Sequence, residues 1–156
     1  MAKTSDMQVY NIRKEKFADR LVASGIANRW NKKDEFVIYT SSSRALSTLE
    51  LVVHRAHIQI DDSYLLLIIS LDISDDDIMT IDSSDLPENW KSIQCYPALQ
   101  AIGSEWYRSY SSLVLKVPSS IIPQEYNYII HTAHPDFKTK VSILEREKFT
   151  WDRRLL

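Results

Sequence analysis

Residues 37–54 read VIYTSSSRALSTLELVVH, and a change of periodicity inside this stretch decides which elements the chain is built from. With Phe36 before them, the first residues are aromatic or β-branched and form a strand over residues 36–40. Thr40, Ser41, Ser42 and Ser43 then supply hydroxyl caps for a helix over about residues 44–57, in which Leu46, Leu49, Val52, Val53 and Ala56 recur at helical spacing. Working outward, residues 7–12 give a short first strand and residues 14–22 a charged helical turn. Residues 64–71 are a buried strand by length and β-branching, and residues 98–110 a second helix. Residues 113–117, 128–131 and 140–144 bring the total to five or six strands. No repeat or low-complexity linker interrupts the series, so both element types mix along one chain.

At 156 residues the chain has the length of one domain, 1–156, able to bury roughly 70% of its unfolded-chain surface. A content of 44% hydrophobic and 26% charged residues is that of a soluble globular protein and excludes disorder. Nineteen Lys+Arg against 21 Asp+Glu leave a net charge of −2, which argues against direct nucleic-acid binding, since neutralising phosphates takes a basic surplus. The lone Cys95 permits neither an internal disulfide nor a thiolate metal site. The longest apolar run, residues 64–69, is far too short to cross a bilayer, and the first residues have no signal-peptide core; a cytoplasmic protein is expected. With two glycines only, Gly25 and Gly103, a glycine-rich phosphate cradle is impossible, so any nucleotide must be held by side chains.

Glu50 is the residue the helical pattern singles out. It falls at the margin of the apolar arc, where a carboxylate is either partly desolvated or paired with a cation from a neighbouring element. Arg29, in the stretch Asn28-Arg29-Trp30-Asn31, could fork onto a phosphate or onto Glu50, or simply pack. Glu50, His54 and His57 share a helix face at i, i+4 and i+7 but lack a zinc-protease spacing, so no metal is expected. His131 and His134 flank a turn before Pro135 and are read as shaping that loop. The stretch 61–90 carries nine acidic residues and no Lys or Arg; it is either an acidic face for a basic partner or a solvated loop region.

The order of short motifs says more than any of them alone. RWN (29–31) is followed by the 37–54 stretch, LPENW (86–90), LVLKVPSSIIPQEYNYIIHTAHPDF (113–137) and WDRRL (151–155). This series resembles the RES-domain family, the toxins of bacterial RES–Xre toxin–antitoxin pairs, over nearly the whole chain. The family's arginine, glutamate and serine match Arg29, Glu50 and Ser119, and its active-site tyrosine matches Tyr39. Two positions depart from the family pattern: Asn11 stands where many members have an arginine, with Arg13 two residues on, and Ala27-Asn28 replaces the glycines that commonly precede RWN.

The resemblance implies an α/β fold similar to ADP-ribosyltransferases, one compact domain with a split mixed sheet and surrounding helices. It implies that NAD is consumed as substrate by hydrolysis or phosphorolysis of the nicotinamide–ribose bond, with inorganic phosphate as a possible co-substrate and no resident cofactor. Transfer of ADP-ribose to a protein, or a catalytically silent antitoxin-binding module, are the alternatives. In this reading Glu50 stabilises an oxocarbenium-like ribose and Arg29 binds the pyrophosphate. Tyr39 packs on ribose or nicotinamide, and Ser119 binds the ribose or orients Glu50. An Xre-type antitoxin is the implied partner, covering the NAD cleft, in an oligomer with this chain.

Overall fold

A computed structural model describes residues 5–54 and 63–156. Its seven strands are β1 (Ser5–Lys14), β2 (Val37–Ser41), β3 (Tyr64–Ile73), β4 (Ile78–Thr80), β5 (Val114–Pro118), β6 (Tyr126–His131) and β7 (Val141–Phe149). The helices are α1 (Arg44–Val53), α2 (Tyr96–Ser109) and the short α3 (Phe137–Lys140). The strands form one sheet in the order β4-β5-β6-β2-β1-β3-β7, antiparallel throughout except for β4 beside β5.

The sheet is continuous in name and split in fact. β1 pairs with β3 along its whole length, Ser5 to Lys14, and β2 pairs with β6 from Val37 to Ser41. Between β1 and β2 the ladder has one rung, Tyr10 opposite Ser41. Val9, Leu67, Ile69 and Leu71 from one half pack with Ile38, Val114, Tyr128 and Ile130 from the other, so the halves close on a shared apolar core. The opposite face of the β5–β6–β2 half is covered by Leu99 and Trp106 of α2 together with Trp30 and Trp90 from the preceding loops. On the β1–β3–β7 half, Ile12, Tyr64, Leu66 and Ile68 are capped by Leu51 of α1, with Phe149 and Trp151. Each such fully buried side chain contributes about 1.5–3 kcal/mol. The split mixed sheet of a single α/β domain is therefore the architecture found, with seven strands instead of five or six.

The differences from the sequence reading have physical causes. The helical turn over residues 14–22 shrinks to one 3-10 turn, Glu15–Phe17, which buries nothing. Carbonyls that a helix would use are taken by arginines: Arg13 Nη1 reaches Phe17 O and Val22 O, and Arg146 binds Ala18 O and Asp19 O at 2.8 and 2.7 Å. Helix α1 starts where the serines cap it, Ser43 Oγ accepting from Leu46 N at 3.0 Å, and ends at Val53 with His54 as its cap. Val53 is 61% exposed, so the buried face runs through Leu46 and Ser47 instead of through Val53. Ala56 and His57 lie outside the described residues, as do Asp61 and Asp62. The acidic stretch contains the unforeseen strand β4. It also contains a largely buried carboxylate, Asp77, which pairs with Lys140 at 3.0 Å; the Lys140 and Ser74 contacts hold Asp77 below the usual carboxylate range against the upward push of burial.

No helix among the described residues is long and apolar enough to cross a membrane.

Candidate active site

The strand-to-helix turn after β2 brings α1 back across the mouth of the split. Glu50, two turns into α1, points over the end of β2 towards β5 and β6. Its Oε1 accepts two hydrogen bonds, from Ser119 Oγ and from Asn127 Nδ2, both at 2.8 Å. Each donor is itself fixed. Ser119, fully buried just after β5, accepts from Ile121 N and Ile122 N at 3.1 and 3.2 Å, so its lone pairs are filled and its proton is directed at Glu50. Asn127 sits opposite Ser41 in the β2–β6 ladder and accepts from Ser41 Oγ at 2.9 Å, which turns its amide NH2 towards Glu50. Among the described residues, the second carboxylate oxygen, Oε2, has no hydrogen-bond partner and no cation is paired with Glu50. The ion-pair reading of Glu50 is thus corrected: neutral dipoles hold it.

This carboxylate lines a cleft of about 200 Å³ with Asn11, Tyr39, Ser47, His54 and Asn127. His54 Nδ1 donates to the Glu50 carbonyl at 2.7 Å. Among the described residues no group of three or more His, Cys, Asp and Glu side chains is gathered around a common point.

Tyr39 contributes its ring to the cleft wall, while its hydroxyl accepts from Trp30 N at 3.0 Å and donates to Asn31 Oδ1 at 2.6 Å. Burial pushes this phenol well above its ordinary value, so it stays protonated. Asn31, 2% exposed, donates to Ile26 O and Lys32 O at 3.0 and 3.1 Å and so ties the loop to itself. The loop is also pressed on α2. Gln100 binds Asn28 O at 2.8 Å, and a Cβ on Gly103 would lie 1.6 Å from Trp30 O.

The structure therefore brings Tyr39, Glu50 and Ser119 together and sets Arg29 apart. Arg29 Nη1 donates to Trp90 O and Lys91 O at 3.3 and 3.0 Å, and its guanidinium lies 4.7 Å from the centre of the Tyr96 ring. It does not fork onto Glu50. Across the split, Asn11 Nδ2 donates to Tyr39 O at 2.8 Å, and Arg13 Nε donates to Asn11 Oδ1 at 2.7 Å. Asn127 went unnoticed in the sequence, Asn31 was read only as part of the RWN motif, and Arg13 only as the arginine two residues after Asn11. Alternation in β1, which puts Arg13 on the same face as Asn11, is the signal that could have found the last.

His131 and His134 brace the loop after β6, as expected. His131 is fully buried, stacked on Tyr107 at 4.0 Å and bonded to Tyr107 O at 2.7 Å; burial pulls its pKa down. A separate cleft of about 540 Å³ beside Tyr64, Phe149 and Trp151 contains none of these residues.

Comparison with known proteins identifies relatives over most of the chain. The chain is 37% identical over 136 residues to a protein named Toxin Res from Yersinia enterocolitica, covering 85% of this chain and 86% of that one. It is 30% identical over 148 residues to the Prs ADP-ribosylating toxin of Sphingobium sp., covering 89% and 88%. In structure it is similar, with a TM-score of 0.73 and 14% identity, to a chain of the Mycobacterium tuberculosis MbcT-MbcA toxin-antitoxin complex, covering 96% of this chain and 87% of that one. Residues 8–152 match the RES domain, and the chain belongs to the RES-domain family.

Proposed function

We propose that this protein is the toxin of a toxin–antitoxin pair and that it cleaves the nicotinamide–ribose bond of NAD. The observation that carries the proposal is the state of Glu50: one oxygen locked by Ser119 and Asn127, the other free at a cleft walled by the Tyr39 ring. When the C1′–N bond breaks, its electron pair leaves with nicotinamide and positive charge develops on the ribose. A carboxylate already oriented by two donors meets that charge without reorganising, and this is how preorganised sites lower barriers. Water or inorganic phosphate then attacks C1′ and gives up a proton, completing hydrolysis or phosphorolysis. Ser119 and Asn127 are positioning residues here, Tyr39 packs on the ribose or nicotinamide, and Arg29 anchors the 28–31 loop and contributes positive charge beside it.

The relative named Prs ADP-ribosylating toxin favours a second reading, in which a protein side chain is the acceptor at the same C1′. In either case we place the protein in the cytoplasm, where NAD is available, with an Xre-type antitoxin covering the cleft. The complex and not this chain binds operator DNA, in keeping with the net charge of −2. Incubation of the purified protein with NAD, with and without phosphate, tests the proposal. Free ADP-ribose reports hydrolysis, a phosphorylated ADP-ribose reports phosphorolysis and labelled protein reports transfer. Unchanged NAD under all these conditions leaves only the silent binding module.

A further inference from the structure

A second cleft of about 450 Å³ adjoins the Glu50 cleft and shares Asn11, Ile12 and Tyr39 with it. It opens where β1 and β2 diverge, and Phe17, Val22 and Ile38 make its walls largely apolar. Among the described residues, Arg13 is its only charged lining residue. Every partner of Arg13 is a neutral oxygen: Asn11 Oδ1 at 2.7 Å, Phe17 O at 3.3 Å and Val22 O at 3.4 Å. Among the described residues no carboxylate is within ion-pair distance of it, and Nη2 has no partner. These contacts aim the guanidinium without neutralising it. A partly buried cation left in this state is costly to hold, and burial indeed pulls the Arg13 pKa down from its ordinary value. An anion arriving in the cleft removes that cost. Arg29 does not line either cleft, its Nη1 being bound to the Trp90 and Lys91 carbonyls.

Size points the same way. At about 200 Å³ the Glu50 cleft is smaller than the roughly 300 Å³ at which small-molecule sites begin, so a dinucleotide must extend beyond it. The adjoining cleft offers both room and positive charge. We infer that Arg13 is the phosphate-binding residue of this protein, receiving the diphosphate of a dinucleotide whose nicotinamide end faces Glu50. Resting as it does on the NAD reading, this places the adenosine half against the apolar wall around Phe17 and Val22. The same guanidinium chemistry would also suit free inorganic phosphate.

Direct binding distinguishes these sources without any turnover. ADP and, separately, inorganic phosphate are titrated calorimetrically into the full chain and into Arg13→Gln, Arg13→Lys and Val22→Glu. Val22 is 48% exposed, so a glutamate there is tolerated while it sets a carboxylate beside an intact Arg13; it decides the matter should Arg13→Gln not fold. ADP affinity is expected to fall at least tenfold in Arg13→Gln and in Val22→Glu. It should fall less in Arg13→Lys, which keeps the charge but loses the fork. ADP affinity within twofold of the parent in both Arg13→Gln and Val22→Glu overturns the inference. Loss of phosphate binding with ADP binding intact overturns the dinucleotide placement. ADP bound through Arg13 by a protein that leaves NAD untouched would sink the proposed reaction and keep the site.

Discussion

Replacing Glu50 by glutamine separates catalysis from stability, because the structure fixes what the substitution changes. The amide oxygen takes the place of Oε1, which in the parent accepts from Ser119 and Asn127 at 2.8 Å, and keeps both donors, while the amide NH2 takes the place of Oε2 in the cleft. Two hydrogen bonds to a charged acceptor become bonds to a neutral one. A bond to a charged group contributes about 1.5–3 kcal/mol and a neutral one about 0.5–1.5, so the pair loses about 2–3 kcal/mol before solvent screening. Glu50 is half-buried and open to water on its Oε2 side, which reduces that figure to about 1 kcal/mol. In a chain of this size that is a shift of about 2–4 °C in Tm. The loss in turnover is larger, since removing one preorganised electrostatic partner costs about 100- to 1,000-fold in rate, roughly 2.7–4 kcal/mol. Nicotinamide release and a thermal melt on the same preparation measure both. A variant that melts within a few degrees of the parent and turns over NAD within a few-fold of it would refute the role given to Glu50.

Ser119→Ala leaves the N–H groups of Ile121 and Ile122 without their acceptor and frees one side of Glu50; stability should drop by about 1–3 kcal/mol and kcat by about tenfold with little change in KM, and an unchanged kcat removes Ser119 from the positioning of Glu50. Tyr39→Phe deprives Trp30 N and Asn31 Oδ1 of the phenol that joins them; denaturant melts should show a loss of about 1–3 kcal/mol, and an undiminished midpoint contradicts the brace described here. His131 has its pKa lowered by burial, so the unfolded chain binds its proton first: the stability it contributes is complete above about pH 6.5 and declines as pH falls below that value. Thermal melts between pH 8 and 5 should follow this slope, and an imidazole NMR titration centred at the value of free histidine rules it out.

What the sequence disclosed, and what it withheld, follows from the range of the interactions concerned. The β2–α1 unit was legible because both halves of its signal are local: apolar β-formers, then a serine whose hydroxyl caps the next turn. Glu50 stood out as a carboxylate on an apolar margin, and the motif order attached Tyr39 and Ser119 to it. The partners that aim these residues were illegible, because Asn127 and Asn31 act through contacts that only the folded sheet creates. Arg29 illustrates the same limit: 61 and 62 residues separate it from the carbonyls that hold it. Gly103 was read only as one glycine too few for a phosphate cradle. Its use is steric, since α2 and the Trp30 backbone meet where no side chain fits. The helical turn over residues 14–22 failed because Arg146, more than a hundred residues on, takes its carbonyls.

The single rung between β1 and β2 also governs how the chain comes into being. One half of the sheet is β1, β3 and β7, the other β2, β4, β5 and β6, so the backbone passes from one half to the other four times. Neither half is a contiguous piece of the chain. A ribosome that has delivered β1, β2 and α1 has made Tyr39 and Glu50, yet Ser119 and Asn127 have still to emerge, and β3 waits for β7 until residue 149. Assembly from such distant segments is slow compared with local helix formation. A nascent or truncated chain lacking β5 and β6 has a carboxylate with nothing to aim it, so the chemistry proposed here belongs only to the finished polypeptide.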